Sequence, residues 1–115
     1  MVRAVGDGAM RVADLLKSGH PVIWDCEVCR RTGPADLTAI AEAKGPLYSL
    51  ANRRPRCRQP GCAGRVRFRI RRGLWHSDLD TIPFASDAWW AYQETERDRL
   101  KAAGYRLVDG HWLPS

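Results

Sequence analysis

Ile23-Trp24-Asp25-Cys26-Glu27-Val28-Cys29 and Cys57-Arg58-Gln59-Pro60-Gly61-Cys62 contain every cysteine of the chain. Each is a cysteine pair closed by a tight turn, with two residues between the ligands in the first and four in the second. Two such pairs, separated by a stretch that can hold a helix, supply the four sulfurs of a tetrahedral metal site at Cys26, Cys29, Cys57 and Cys62. One structural Zn2+ fits this donor set best, because four soft thiolates leave no open position for water. An iron–sulfur cluster or a rubredoxin-like iron would use the same ligands and is the competing metal. Redox chemistry at the first pair alone leaves Cys57 and Cys62 without a role and lacks an aromatic-Gly-Pro setting. His20, beside Pro21, reads as a solvated loop residue and not as a ligand.

Working outward from the second pair, Arg65-Val66-Arg67-Phe68-Arg69-Ile70-Arg71 alternates strictly. This predicts a strand with apolar residues on one face and arginines on the other. His20 to Asp25 predicts a strand entering the first pair, and residues 30–34 a turn leaving it. Residues 35–44 are rich in helix formers and end at Gly45-Pro46, which predicts a helix with Leu37, Ile40 and Ala41 on one face. Residues 47–54 predict a second, shorter helical piece stopped by Pro55. Before the first pair, residues 9–18 predict an amphipathic helix. After the arginine strand, residues 74–84 read as an irregular connection. Ser86 is the expected N-cap of a helix running to about residue 103. Asp109-Gly110 between apolar stretches predicts a type I′ hairpin.

The expected fold class is α+β: a small zinc-stapled domain, zinc-ribbon-like, with a helical insertion between the cysteine pairs, plus a C-terminal helix and β-hairpin. A chain of 115 residues suits a single domain over 1–115, with a zinc-binding core at 22–72 and a helix–hairpin extension at 73–115. No run approaches the roughly 20 apolar residues that cross a bilayer, so no membrane span is expected. Met1 to Gly8 carry no apolar signal region, and the expected setting is cytoplasmic and reducing, where cysteines serve metals more often than disulfides.

Charge is placed unevenly. The formal net charge is +6, yet residues 43–77 hold ten basic residues and no Asp or Glu, and the rest of the chain is mildly acidic. Arg53, Arg54, Arg56, Arg58, Arg65, Arg67, Arg69, Arg71 and Arg72 are therefore candidates for phosphate contact with nucleic acid, DNA being the expected form. Two other demands compete for them. A Cys₄ zinc site carries a net charge of −2, which Arg56, Arg58 and Arg65 could offset, and Asp78, Asp80, Glu94 or Glu96 could pair with the arginine face after folding. Five tryptophans call for core positions, but Trp89 and Trp90 are adjacent on one helix and cannot share a core, which marks them as possible partner contacts.

The passage from Ile23-Trp24-Asp25-Cys26 through Cys29, Asp36-Leu37, Gly45-Pro46-Leu47, Leu50 and Arg56-Cys57 to Cys62 resembles small uncharacterised bacterial zinc-ribbon-type proteins. The resemblance spans about residues 22–71 and departs at the four-residue gap of the second pair. It implies zinc and, loosely, nucleic-acid contact; ribbons also serve as protein-docking modules. The expected function is a non-enzymatic, regulatory zinc protein contacting nucleic acid through its arginine face. The alternative is a zinc-stabilised protein-interaction module, such as an adaptor or a phage-type inhibitor of a nucleic-acid-handling complex. The one enzyme-like grouping, His76-Ser77-Asp78-Leu79-Asp80, lacks a supporting second cluster and reads as a solvated connection.

Overall fold

Four antiparallel strands in the order β2-β1-β3-β4 form the central sheet: β1 (Val22–Cys26), β2 (Thr32–Pro34), β3 (Val66–Arg72) and β4 (Trp75–Asp78). The computed structural model describes residues 10–114, with only the backbone at Arg72. The start of the predicted first helix at Ala9 and the N-terminal stretch before it lie outside the described residues. Three helices accompany the sheet, α1 (Val12–Ser18), α2 (Leu37–Lys44) and α3 (Asp87–Ala102), followed by the hairpin of β5 (Tyr105–Val108) and β6 (His111–Pro114).

The alternation in residues 65–71 sets the sheet's two faces. Cys26 lies opposite Val66, Trp24 opposite Phe68 and Val22 opposite Ile70, so every pair of this set points to the interior. The intervening row places Asp25 opposite Arg67 and Arg69 opposite Asp78 on the outer face. Beneath the sheet, Met10, Val12, Leu15, Val22, Leu50, Ala51, Phe68, Ile70 and Leu79 form the main apolar core. Each large side chain buried there stabilises the fold by about 1.5–3 kcal/mol. A smaller cluster of Cys26, Cys57 and Val66 sits at the metal end.

Helix termini follow the sequence closely. Gly19 closes α1 in the left-handed region (φ 73°). Asp36 caps α2 by accepting from the Ala39 amide at 3.0 Å, and Ser86 caps α3 by accepting from the Trp89 amide at 3.2 Å. Asp109 and Gly110 both have positive φ, 50° and 80°, as a type I′ turn requires.

Three local expectations are corrected. Residues 47–54 are not helical, because carbonyls at and just before the start of this segment serve a neighbour: Tyr48 O accepts from Val12 N at 2.8 Å and Pro46 O from Ala13 N at 3.1 Å. The start of α1, which has no side-chain cap, thus finds partners for its otherwise unpaired amides in this passing segment. Residues 32–34 extend past the turn to pair with β1 as an edge strand, where Pro34 costs no ladder bond. Residues 75–78 form β4, drawn into register by the Arg69–Asp78 cross-strand pair and the turn at Gly73.

The remaining connection, 79–84, is pinned by Asn52. This fully buried residue sits at φ 58°. Its Oδ1 accepts from the amides of Thr81 (2.7 Å) and Ile82 (2.9 Å), its Nδ2 donates to Thr81 Oγ1 (3.1 Å), and its carbonyl accepts from Gln93 of α3 (2.8 Å). One residue therefore joins the pre-metal segment, the 79–84 loop and α3.

Candidate metal centre

The two cysteine pairs approach each other because β1 ends at Cys26 while β3 begins just after Cys62, and the strands are hydrogen-bonded partners. In the first knuckle Cys26 O accepts from Arg30 N (2.9 Å) and Cys26 N donates to Arg31 O (3.0 Å), with Arg30 at φ 64°. The second is closed by Cys57 N to Gly64 O (2.9 Å) and Cys62 N to Gln59 O (3.1 Å), with Gly61 at φ 77°. The bridge between Arg56 and Arg65 absorbs the wider four-residue gap. Arg31 donates to Gln59 Oε1 at 3.0 Å and ties one knuckle to the other.

All four Sγ atoms lie within 4.8 Å of one another, with Cys26–Cys62 at 3.6 Å and Cys29–Cys57 at 3.8 Å. These separations are far too long for disulfides, and all four cysteines are free. A tetrahedral ion with metal–sulfur bonds of about 2.3 Å sets its sulfurs about 3.8 Å apart, so the cluster fits a four-thiolate metal site. Gly64 completes it. Its amide lies 3.3 Å from Cys62 Sγ, and a Cβ there would fall 2.7 Å from Val28 and 3.0 Å from Cys26 Sγ.

Two of the thiols, Cys26 and Cys57, are shifted in opposite directions. The Cys29 backbone amide, aimed at Cys26, lowers its pKa to about 7 against the opposing effect of burial. At Cys57 the Gln59 amide pulls downward, but burial and the three neighbouring sulfurs outweigh it and push the thiol up to about 12. Four thiolates in this space need a cation to neutralise them.

The arginines divide into two sets. Arg67 meets Asp25 at 2.9 Å and Glu27 at 3.3 Å, and Arg69 lies 3.2 Å from Asp78 and 3.7 Å from Asp25. Arg54 binds Asp80 at 2.7 Å. Arg53 stacks on the Tyr48 ring at 4.3 Å and reaches Gln93 and, at 3.8 Å, the buried Glu96, which Arg99 grips through both oxygens. These four are claimed by the fold. Arg56, Arg58, Arg65 and Arg71 are exposed and have no carboxylate partner among the described residues. The sequence reading of residues 30–34 as a plain turn missed two more, Arg30 and Arg31, which stand exposed on the first knuckle; their position beside Cys29 was the available signal.

Trp89 is buried at 7% exposure, wedged edge-on between Phe84 and Trp90, which removes it from the contact surface; Trp90 is 57% exposed. The His76–Asp80 grouping is dispersed, since Asp78 turns to Arg69 and Asp80 to Arg54. No helix among the described residues is long and apolar enough to cross a membrane.

No protein-family model matches the chain, and neither the curated proteins nor the solved structures contain a significant match.

Proposed function

We propose a zinc-stapled, non-catalytic domain that contacts nucleic acid through a collar of arginines around its metal. A closed four-sulfur shell with no open position suits a structural ion, and zinc is the ion such shells commonly hold, while iron on the same ligands is the competitor that elemental analysis separates. The ion's role is to fix the two knuckles, and with them the arginines that flank the ligands.

The observation that carries the nucleic-acid reading is the division of the arginines. Arg30, Arg31, Arg56, Arg58 and Arg65 surround the knuckles with Glu27 as the one carboxylate among them, and Glu27 already pairs with Arg67. Exposed guanidinium groups without carboxylate partners suit phosphate, and each phosphate neutralised releases counterions. The contact surface thus moves from the middle of β3 to its metal end.

Duplex DNA binding measured across a salt series tests this. Affinity should fall steeply with salt, and the Arg56→Ala, Arg58→Ala, Arg65→Ala triple variant should reduce the log–log slope by about 0.9 for every phosphate it no longer neutralises. Arg69→Ala should leave the slope unchanged. Absent or salt-independent binding sinks the reading.

The protein-docking alternative has its own support in Trp90 and in the β3–β4 tip, where Leu74 is 91% and Trp75 78% exposed. Retention of a partner by the wild type and its release on Trp90→Ala or Trp75→Ala, with the arginine variants unaffected, would favour it.

A further inference from the structure

Between α2 and the knuckle side of the sheet lies an open cleft of about 580 Å³, within the size range of small-ligand sites. Its floor is apolar and partly aromatic, formed by Trp24, Phe68, Val66, Leu50 and Ile40. Its mouth is cationic, with Lys44, Arg53, Arg56 and Arg58 around it and Asp36 as the lone carboxylate of the lining. Asp36 Oδ1 is already committed to the Ala39 amide, and Arg53 to Gln93 and Glu96. Lys44 donates to Gly110 O but meets no carboxylate among the described residues. Burial lowers its pKa, and the positive charges of Arg53 and Arg58 lower it further. Like charges crowded at the mouth of an apolar slot call for an anion with a flat apolar body.

We propose that this cleft binds a nucleotide, with the base on the Trp24–Phe68 floor and the phosphate at Lys44, Arg56 and Arg58. The polar groups of the wall favour a base over an aliphatic tail. Gln59 uses its Oε1 to accept from Arg31, which leaves its amide NH₂ to donate, and Asp36 keeps Oδ2 to accept. A base edge offers both partners; a fatty-acid chain offers neither. Aromatic faces beside a cationic track are also how single strands are held without sequence preference. The inference rests on the nucleic-acid reading for its class of ligand and shares Arg56 and Arg58 with the collar, but it adds Lys44 and the apolar floor of the cleft, which the duplex contacts do not use.

Calorimetric titration of the metal-loaded protein with adenosine monophosphate, adenosine, a short single-stranded oligonucleotide and sodium octanoate tests it, together with duplex binding. Ala39→Phe, at an exposed position of α2 that lines the cleft, fills the slot without disturbing the core. The expected result is saturable binding of the monophosphate, about tenfold weaker for adenosine because the charge-assisted hydrogen bonds to phosphate are missing. Ala39→Phe should abolish it while leaving duplex binding and the thermal midpoint unchanged. Tighter binding of the oligonucleotide than of the monophosphate assigns the site to a nucleotide within a strand, and equal binding to a free nucleotide. Absence of saturable binding, persistence of binding in Ala39→Phe, or equal affinity for octanoate overturns the proposal. Failure of duplex binding alone would sink the collar reading and leave the cleft intact.

Discussion

The two ends of the β1–β3 pair are held by different forces. At one end Val22 and Ile70 sit in a core shared with Leu15, Leu50 and Leu79, all nearly inaccessible to solvent. At the other, Cys26 and Val66 are joined by Cys57 in a cluster too small to sustain itself, and four sulfurs take the place of apolar burial. One end is stabilised by area removed from water, and the other gathers four sulfurs in an arrangement that fits an ion. Arg30, Arg31, Arg56, Arg58 and Arg65 belong to the second, while the exposed Arg71 lies at the first.

Removing the metal should have the largest effect on this contrast. Structural zinc in small domains contributes about 10–16 kcal/mol of apparent binding energy at neutral pH, so chelation, or Cys57→Ser, should release both knuckles. Hydrogen exchange should then accelerate across residues 26–31 and 56–65, while α1 and the Val22–Ile70 end exchange more slowly. Uniform acceleration over the whole chain would show that the two ends fold as one unit. Elemental analysis of protein purified without added metal should find close to one equivalent of zinc.

At the core end, Asn52→Ala removes both amide contacts to the 79–84 loop. An unpaired buried donor costs about 1–3 kcal/mol; with Thr81 exposed and Ile82 half-buried, denaturant unfolding should show a total decrease of about 1–3 kcal/mol with metal content unchanged. At the metal end, Gly64→Ala should cost about 1–3 kcal/mol through overpacking and weaken metal binding as well, since the added Cβ meets Val28 and Cys26 Sγ. These two variants separate the forces: one lowers stability alone, the other stability and metal affinity together.

The smallest effect is that of pH. Metal binding must displace the protons of thiols that are protonated in the free protein. With Cys57 at about 12 and Cys26 at about 7, binding near neutrality releases protons, and affinity should decline as pH falls. The decline should steepen below about pH 7, where Cys26 is protonated too. A chelator-competition titration across that range measures the slope; a flat profile would mean that fewer thiols bind the ion.

The two cysteine pairs that cluster here were legible from spacing, because a turn of two to four residues brings its own cysteines together whatever the rest of the chain does. Strand β3 and the cap of α3 were also readable, as periodicity and capping are local properties. Residues 47–54 were not, since their helical propensity lost to the unpaired amides of α1, a partner more than thirty positions away in the chain. Nor could local pattern find Asn52, whose role exists only after the 79–84 loop folds across it. Residue spacing and alternation were enough to set the four-cysteine cluster, the arginine strand and the excess of positive charge around it. Which arginines are spent within the fold and which stay free was decided by tertiary structure alone, because Asp25, Glu27, Asp78 and Asp80 reach the guanidinium groups only through strand register and loop packing. Charge in a sequence is a sum, whereas charge available to a partner is what remains after the fold has paired its own.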